Sequence, residues 1–538
     1  MQARCGRLVA LLLLACSPLA AQASAPLADR IGAVLARPEF AHALWGIEIL
    51  DLDTGAPVFG LNEDKLFVPG STTKLLTEGT ALGLLGGDYR FKTRIYRSGE
   101  IGRDGVLDGD LVLVASGDPN LSARVRPDDT LAFENQDHAY DGDPATRAVP
   151  GDPLQVIREL AAKVAAHGIR KVGGRVLVDV SLFPEGDREL GTNVVISPIM
   201  VNDNLIDTMI GPGGAPDAPA TFTSSPATSY VHFVSKVKTA PPDAKPSIEV
   251  ESDVAGEDGT HTVTLGGTFP AGKPAILYSY AVAQPSLFAQ LALIDALRER
   301  GVEVTQPKVG EKVDFAALAA SYTDDRVVAE HVSPPLSQEV RVTLKVSQNL
   351  HASMTPLLLA AVLAKPRSKQ GGAKPGDAKA DTAKSETGFD HERRFLQSLG
   401  LDVTSAQQGD GAGGDAHFTP SFMVAFLAAM AKRPDYGAFS TALPILGRDG
   451  TLYDIQTGSP AAGHVFAKTG TYAVDDPLNR RLLVTGKGLA GYVTSAKGRH
   501  LAIAVYVNNV AVSNEPNETK RVVGQALGEI AAIAYDAL

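Results

Sequence analysis

The sequence is poor in cysteine. Its 538 residues include two, Cys5 and Cys16, and both lie within the first 23 positions. A mature chain that begins after Ala23 would contain no thiol, which excludes a disulfide framework, a thiolate metal site and a cysteine nucleophile. The mature protein must therefore rely on other side chains for its chemistry.

Positive charge and long apolar runs are also scarce. The chain has 50 Lys and Arg against 61 Asp and Glu, a formal net charge of −11. An acidic balance favours solubility and argues against nucleic acid or a polybasic membrane patch as a partner. Beyond the N-terminal segment no stretch is long and apolar enough to span a bilayer. We therefore expect no nucleic-acid partner, no transmembrane anchor and at most weak membrane association.

The N-terminal 23 residues have the pattern of a secretory signal peptide. Arg4 and Arg7 precede an apolar run over residues 8–15, and small residues end in Ala21-Gln22-Ala23. This pattern predicts cleavage after Ala23 and export to the periplasm. The alternative is a lipoprotein signal with Cys16 lipidated, and the good Ala-x-Ala site downstream favours the first interpretation.

The central motif is a serine followed by a lysine three positions later. Ser71 and Lys74 follow a Pro-Gly turn and open a predicted helix, where residues three apart share one face. A lysine of lowered pKa beside a serine hydroxyl can act as its base, which makes the hydroxyl a nucleophile. The alternative is a helix-capping serine with a solvated lysine. A second such pair, Ser235 and Lys238, lies in a strand-like run that would place the two on opposite faces.

Two further motifs follow in order. A predicted helix over residues 339–350 ends near Ser347 and Asn349, which can point into one cleft as a proton relay and an amide partner. Taken alone, these two residues are more typical of a helix cap or turn than of a catalytic site. Lys468-Thr469-Gly470 lies in a predicted strand, where the glycine lets a substrate backbone approach and the lysine can hold a carboxylate.

The strand and helix patterns predict a discontinuous domain. Residues 45–62 form a predicted hairpin that leads into the Ser71 helix, and the last strands and the C-terminal helix should join the same sheet. We assign residues 24–90 and 276–538 to this catalytic domain and residues 91–275 to a β-rich insertion. Residues 364–392, which are mostly Lys, Ala, Gly and Asp, predict a mobile loop.

Other polar segments are interpreted without chemistry. The Asp-rich residues 127–153 lack the terminal glutamate of an EF-hand and predict a solvated loop, so we expect neither a metal nor a cofactor. His351 has no acid beside it in sequence and is interpreted as a packed or solvated side chain. The glycine-rich residues 409–415 predict a loop, and residues 285–301 predict a long surface helix.

Taken together, the motifs resemble a known family. Ser71-x-x-Lys74, Ser347-x-Asn349 and Lys468-Thr469-Gly470, in this order, match the three-part signature of penicillin-binding proteins and serine β-lactamases. More narrowly, the chain resembles the D-alanyl-D-alanine carboxypeptidase/endopeptidase family of the penicillin-binding protein 4 type, peptidase family S13, which carries a large insertion between the first two motifs. Supporting matches lie at residues 109–111, 117–119, 178–183, 201–204, 333–336, 410–413 and 449–452.

This resemblance implies a fold and an activity. The fold would be α/β, a penicillin-binding, serine β-lactamase-like α/β/α sandwich with an antiparallel sheet and a large β-rich insertion. The activity would be that of an exported serine D-Ala-D-Ala carboxypeptidase, endopeptidase or both, which acts on peptidoglycan stem peptides through an acyl-enzyme. β-Lactam antibiotics would be covalent inhibitors.

The resemblance also implies residue roles. Ser71 would be the nucleophile and Lys74 its base, while Ser347 and Lys468 would relay the proton to the leaving amine. Asn349 would hold the substrate amide. The remaining implied roles are a carboxylate site at Lys468 and Thr469, an oxyanion hole of the N–H groups of Ser71 and Thr471, close approach of substrate at Gly470, and an inserted-domain pocket at Asp179 and Phe183.

One departure concerns specificity. Where relatives read Asp-Gly-Ser-Gly-Leu-Ser-Arg, residues 410–416 lack the arginine, a plausible partner for a second substrate carboxylate. Residues 473–488 form a longer segment than usual and could reshape the cleft. A β-lactamase or esterase would share the Ser-Lys pair, and a noncatalytic cell-wall peptide binder could share the fold. The large insertion favours work on the cell wall.

Overall fold

The computed structural model describes residues 26–304, 312–364 and 386–538. The helices are α1 Leu27–Leu35, α2 Lys74–Leu85, α3 Gln155–Ala166, α4 Pro285–Glu299, α5 Phe315–Leu318, α6 Leu336–Val346, α7 Asn349–Val362, α8 Gly388–Ser398, α9 Pro420–Met430, α10 Tyr436–Thr441 and α11 Gln525–Ala537. The strands are β1 Leu44–Asp51, β2 Pro57–Leu61, β3 Lys92–Arg97, β4 Glu100–Ile101, β5 Val106–Asp108, β6 Leu111–Val114, β7 Lys171–Val172, β8 Val176–Asp179, β9 Leu205–Gly211, β10 Thr221–Ser225, β11 Val231–Ser235, β12 Lys238–Ala240, β13 Ser247–Ala255, β14 His261–Pro270, β15 Ile276–Ala281, β16 Glu303–Val304, β17 Val327–Val332, β18 Ala406–Gln408, β19 Ala416–Phe418, β20 Val465–Asp476, β21 Arg481–Thr494, β22 His500–Asn508 and β23 Val510–Val512.

The two ends of the chain share one antiparallel sheet. Its strand order is β2-β1-β22-β21-β20, with β23 paired to β21. Strand β1 pairs along its whole length with β22, from Leu44 opposite Asn508 to Asp51 opposite Leu501. The predicted meeting of the opening and closing segments is therefore confirmed.

Helices cover both faces of this sheet. Helices α1 and α11 bury one face through side chains such as Ile31 and Ile530, and α2 and α9 bury the other through Leu75 and Phe426. Because both faces are covered, β22 is almost continuously apolar instead of alternating. Each large apolar side chain buried in this way stabilises the fold by roughly 1.5–3 kcal/mol. The predicted α/β/α sandwich is confirmed.

The inserted part extends further along the chain than its predicted end at residue 275. Strand β17 pairs with β3 in a sheet of order β17-β3-β6-β8, and α4 packs in the same core as α3. The surface helix expected at residues 285–301 is wrong in one respect: Phe288, Leu293 and Leu297 of α4 are completely buried. A helix with apolar residues on every side belongs inside a core. The insertion therefore continues to about residue 332.

Two predicted segments fall partly or wholly outside the described residues. The signal peptide over residues 1–23 and the alternative lipidation site at Cys16 both lie there. Of the predicted mobile loop over 364–392, residues 365–385 also lie there, but its last residues are helical. Helix α8 begins at Gly388 and is capped by Thr387, whose hydroxyl accepts the N–H of Asp390 at 3.2 Å. In the described ranges no helix is long and apolar enough to cross a membrane.

Candidate active site

Ser71 lies in a tight turn just before the helix. The turn Gly70–Thr73 is a 3-10 helix, and α2 begins at Lys74, so the serine precedes the helix that was predicted to contain it. The Thr73 hydroxyl donates to the Gly70 carbonyl at 2.9 Å and fixes the turn. The turn also packs closely against the central sheet at Gly470.

Lys74 is fully buried beside the serine hydroxyl. Its Nζ lies 2.8 Å from Ser71 Oγ and donates to Asn349 Oδ1 at 2.6 Å and to the Ala412 carbonyl at 3.3 Å. Burial lowers the pKa of this amine to about 7, although nearby carboxylates, Glu189 first among them, oppose the shift. Near neutral pH a large share of the amine is therefore unprotonated and able to accept a proton.

Ser347 and Asn349 reach this site from a sharp helix junction. Helix α6 ends at Val346, and Ser347 adopts a left-handed conformation with φ 64°, which reverses the chain so that α7 begins at Asn349. The Ser347 hydroxyl accepts from Lys468 Nζ at 2.8 Å and lies 3.4 Å from Lys74 Nζ. One hydroxyl thus bridges two lysines.

Lys468 is the second buried lysine. Its Nζ donates to the Ser347 hydroxyl and to the Thr469 carbonyl at 2.9 Å, and its side chain has no exposed surface. Burial, together with the positive charges of Lys74 and Lys487, holds its pKa well below the usual value. The neighbouring Thr469 hydroxyl donates to Thr451 Oγ1 at 2.8 Å.

Gly470 is required by a close approach of two backbone segments. A Cβ at this position would lie 2.0 Å from the Pro69 carbonyl oxygen and 3.0 Å from the Ser71 nitrogen. We predicted that Gly470 leaves room for a substrate backbone. In the structure, the turn that carries Ser71 occupies this space. On the turn side, a Cβ at Gly70 would lie 2.5 Å from the Thr471 nitrogen. The amides of Ser71 and Thr471 therefore belong to adjacent backbone segments.

The cleft beside these residues has a volume of about 360 Å³, and Ser71, Ser347 and Asn349 line it while Lys74 and Lys468 lie behind its wall. Its walls come from three parts of the chain: the three motifs, the inserted domain and the C-terminal region. The principal lining residues are Ser71, Ser347, Asn349, Thr469, Thr471, Asn135, Gln136, Asp137, Tyr140, Thr451, Tyr453, Lys487, Asn517 and Lys520.

Comparison with known proteins assigns the chain to a family. The D-Ala-D-Ala carboxypeptidase 3 (S13) family matches residues 27–527. The chain belongs to this family. It is accordingly a serine-type hydrolase of the D-Ala-D-Ala carboxypeptidase class, and the predicted family and enzyme class are confirmed.

Individual relatives agree over most of the chain. The D-alanyl-D-alanine carboxypeptidase of Actinomadura sp. strain R39 is 27% identical and covers 97% of this chain and 89% of its own length. The D-alanyl-D-alanine carboxypeptidase DacB of Haemophilus influenzae is 24% identical and covers 86% and 84%. The crystal structure of penicillin binding protein 4 from H. influenzae superimposes with a TM-score of 0.66 at 20% identity, covering 94% of this chain and 98% of its own.

This S13 chain places Asp179 and Phe183 away from the residues that line the cleft. The Asp179 carboxylate accepts from Tyr322 OH at 2.7 Å, and Phe183 packs in a small core with Leu350 and Met354. Phe183 thereby supports helix α7, which carries Asn349. The structure brings the other predicted site residues together and leaves these two outside the group.

The loop that follows Phe183 comes nearer to the site. A Cβ at Gly191 would lie 2.2 Å from Asn349 Nδ2, so this loop packs directly on the asparagine. The Glu189 carboxylate is buried and accepts from the Thr192 N–H and hydroxyl at 2.5 and 2.6 Å. No motif in the sequence marks these contacts, because they join segments about 160 residues apart.

The glycine-rich segment over 409–415 is a loop, as predicted, and it also contacts the site. The Asp410 carboxylate accepts the N–H groups of Ala412, Gly413 and Asp415, each at 2.6 Å. These three hydrogen bonds fix the loop so that the Ala412 carbonyl accepts from Lys74 Nζ. Residues 410–416 therefore still hold Lys74 through the Ala412 carbonyl, although they lack the arginine expected in this segment.

The expected solvated loop at residues 127–153 is wrong at its centre. Asp137 and His138 are buried, and the Arg124 guanidinium donates to Asp137 at 2.5 Å and to Asp203 at 2.7 Å. Asp137, His138 and Asp203 lie close enough together to hold a metal ion. The guanidinium already supplies the positive charge between the two carboxylates, so the cluster is an ion-paired core.

His351 belongs to the same buried network. Its two ring nitrogens lie 2.9 Å from Glu339 Oε1 and 2.9 Å from Asp203 Oδ1. Burial opposes the charged ring, but the two carboxylates outweigh it and raise the pKa of His351 to about 10. The sequence interpretation missed both acids because Glu339 lies 12 residues earlier, on α6, and Asp203 lies 148 residues away in the inserted part. The network fixes the junction between α6 and α7 on which Ser347 and Asn349 lie.

Removal of one charge from this network should destabilise the protein. Asp203→Asn leaves Arg124 and His351 without a common carboxylate, and we expect a loss of about 3–5 kcal/mol in the free energy of unfolding near pH 7. The stability contributed by His351 is complete below pH about 6.5 and is lost as pH rises toward about 10. The variant should therefore show a flatter decline in stability over that interval, measured by urea unfolding.

A surface pair provides the control. Arg90 and Asp129 form a surface ion pair at 2.5 Å, and Asp129→Asn, at the exposed partner, should cost no more than about 1 kcal/mol. An Asp203→Asn variant as stable as this control would contradict a structural role for the buried network.

Proposed function

We propose that this S13 enzyme hydrolyses the bond between the last two D-alanines of peptidoglycan stem peptides, and the cross-link in which a D-alanine is joined to the next stem, through an acyl-enzyme on Ser71. The observation that carries the proposal is the 2.8 Å separation of the fully buried Lys74 Nζ from Ser71 Oγ, which borders the cleft. A buried amine of lowered pKa beside a hydroxyl is the arrangement that activates a serine nucleophile.

The acylation step follows from this arrangement. Ser71 Oγ attacks the scissile carbonyl carbon while its proton passes to the neutral Lys74 amine. The negative charge that develops on the carbonyl oxygen is stabilised by the N–H groups of Ser71 and Thr471, and one such donor is typically worth a few kcal/mol. The close approach required by Gly470 supports this pairing of amides.

The leaving amine needs a proton for the C–N bond to break. Ser347 Oγ lies between Lys74 Nζ and Lys468 Nζ, at 3.4 and 2.8 Å, and can pass a proton from the lysines to the amine. Asn349 Oδ1 accepts from Lys74 Nζ at 2.6 Å, and the same side chain would hydrogen-bond the amide of a bound peptide. Water then enters and attacks the ester carbonyl carbon while Lys74 accepts its proton. The bond between the acyl carbon and Ser71 Oγ breaks, the shortened peptide leaves as its acid, and Lys74 returns the proton to Ser71 Oγ.

The same nucleophile would be trapped by β-lactams. The H. influenzae protein with the same fold has been solved in complex with a β-lactam. In this chain Ser71 Oγ would attack the strained lactam carbonyl carbon, the ring C–N bond would break, and the ring nitrogen would take the proton released by Ser71, which leaves a covalent ester on Ser71. We further propose that the protein acts in the periplasm after removal of residues 1–23, where its polymeric substrate lies.

Product analysis tests the substrate assignment. Purified cross-linked peptidoglycan is incubated with the enzyme and the products are separated and weighed by mass spectrometry. We expect release of free D-alanine and conversion of dimeric stem peptides to monomers. D-alanine alone would restrict the enzyme to carboxypeptidase activity, and neither product would overturn the proposed function. Hydrolysis of a β-lactam much faster than of a D-Ala-D-Ala peptide would instead favour a β-lactamase.

A further inference from the structure

Lys487 is a cleft residue that no motif marks. It lies on β21 directly opposite Thr471 of β20, and both side chains line the cleft. Its side chain is 7% exposed, and its Nζ donates to Thr471 Oγ1 at 2.5 Å. Residues 469 and 471 share one side of their strand, so Lys487 stands beside the two threonines that follow Lys468.

The Lys487 ammonium lacks a carboxylate partner in the described residues. Burial and then the positive charge of Lys520 lower its pKa to about 8, and no acid opposes the shift. The neighbouring Lys520 differs, because it donates to Asp454 at 2.7 Å and lies over the Tyr453 ring at 4.7 Å. A buried ammonium is costly unless it is paired. The cleft therefore offers a site of positive potential that an anion would fill.

Lys468 is poorly placed for the same task. It does not line the cleft, and its Nζ is already engaged by the Ser347 hydroxyl and the Thr469 carbonyl. Its position between Ser347 and the strand suits proton transfer. Lys487, by contrast, is open to the cleft and has one hydroxyl partner that could also turn toward a ligand.

We propose that Lys487, together with the Thr471 hydroxyl, binds the C-terminal carboxylate of the leaving D-amino acid. This inference rests on the proposed function and deepens it, because it transfers the carboxylate-binding role from Lys468 to a residue outside the three motifs. The ammonium donates to one carboxylate oxygen and Thr471 Oγ1 to the carboxylate as well. The bound carboxylate orients the leaving residue on the side of the cleft next to the Thr471 amide.

The test compares substrates with and without that carboxylate. Hydrolysis is measured for an acylated D-Ala-D-Ala peptide with a free C-terminal acid, for the same peptide as its C-terminal amide, and for an acyl-D-alanine methyl thioester. Hydrogen bonds to a charged group are worth about 1.5–3 kcal/mol, so Lys487→Met should lower kcat/KM for the free acid about 10- to 100-fold, mainly through KM. The thioester and the amide should change less than about threefold. Lys487→Arg should recover most of the loss.

The controls distinguish the role of Lys487 from the proposed hydrolytic function on which it rests. Lys497→Met changes an exposed lysine on the turn after β21, whose Nζ donates to the Ala537 carbonyl, and should leave all three rates unchanged. Equal losses on all three substrates, or no loss on the free acid, would overturn the role of Lys487. A wild-type enzyme that does not prefer the free acid over the amide would overturn it as well, without any variant. Absence of hydrolysis of all three substrates by the wild type would instead refute the proposed function.

Discussion

Ser71→Ala should abolish covalent labelling by penicillin and lower D-alanine release by at least about 10⁴-fold, since loss of a serine nucleophile removes the covalent route and leaves only binding and oxyanion stabilisation. Lys74 and Asn349 would keep their mutual hydrogen bond at 2.6 Å, so the site should otherwise be intact. Labelling is measured with a fluorescent penicillin on a denaturing gel, and D-alanine release with a stem-peptide substrate.

A matched serine gives the control for this variant. Ser235 is also followed three positions later by a lysine, but it ends strand β11 and does not line the cleft. Ser235→Ala should be labelled as strongly as the wild type. Both variants should unfold at the wild-type temperature within about 2 °C. Persistent labelling of the Ser71 variant would show that the nucleophile is elsewhere.

Lys74→Met should lower the rate of acylation by about 10²- to 10⁴-fold. Removal of the base leaves the Ser71 hydroxyl protonated at neutral pH, and general base catalysis is commonly worth 10²–10⁴-fold. Methionine has nearly the length of lysine and no charge to bury, so the fold should tolerate it. Acylation is followed by stopped-flow fluorescence with a chromogenic or fluorescent β-lactam.

The pH profile identifies the lysine more specifically. The pKa of Lys74 is lowered to about 7, so the amine is protonated and inactive as a base below that pH and free above it. Wild-type acylation should therefore rise with pH through about 7 and then level off. The residual rate of Lys74→Met should lack this step, whereas Lys65→Met, at an exposed lysine, should keep it. A step near pH 7 that survives in the Lys74 variant would assign the base to another group.

Several features of the site could be predicted because they are local. Ser71 and Lys74 are separated by one helical turn, and Ser347 and Asn349 flank a helix end, so their spacing alone brings each pair together. The terminal strands were recognisable from their apolar pattern, and their pairing follows because exposed apolar edges must be covered. Resemblance to a family then joined the three motifs into one cleft.

Other features depend on contacts between distant segments. The acids that hold His351 lie 12 and 148 residues away, and Lys487 meets Thr471 across a hairpin whose register the sequence does not specify. The prediction of a surface helix at residues 285–301 was wrong for the same reason. The apolar residues of α4 indicate burial, but the sheet that covers them is formed only when the insertion folds.

By itself, the sequence determined which side chains can do acyl-transfer chemistry and the order in which they occur, because these follow from short-range spacing, and its resemblance to a family implied the sandwich on which they lie. Only the tertiary structure decided that Lys487 is open to the cleft and that Lys468 is shielded from it. It also decided that the Arg124 guanidinium pairs with Asp137 in the acidic cluster beside the cleft. The physical reason is burial: the charge state and accessibility of an amine depend on the segments that surround it in space, and those are distant along the chain.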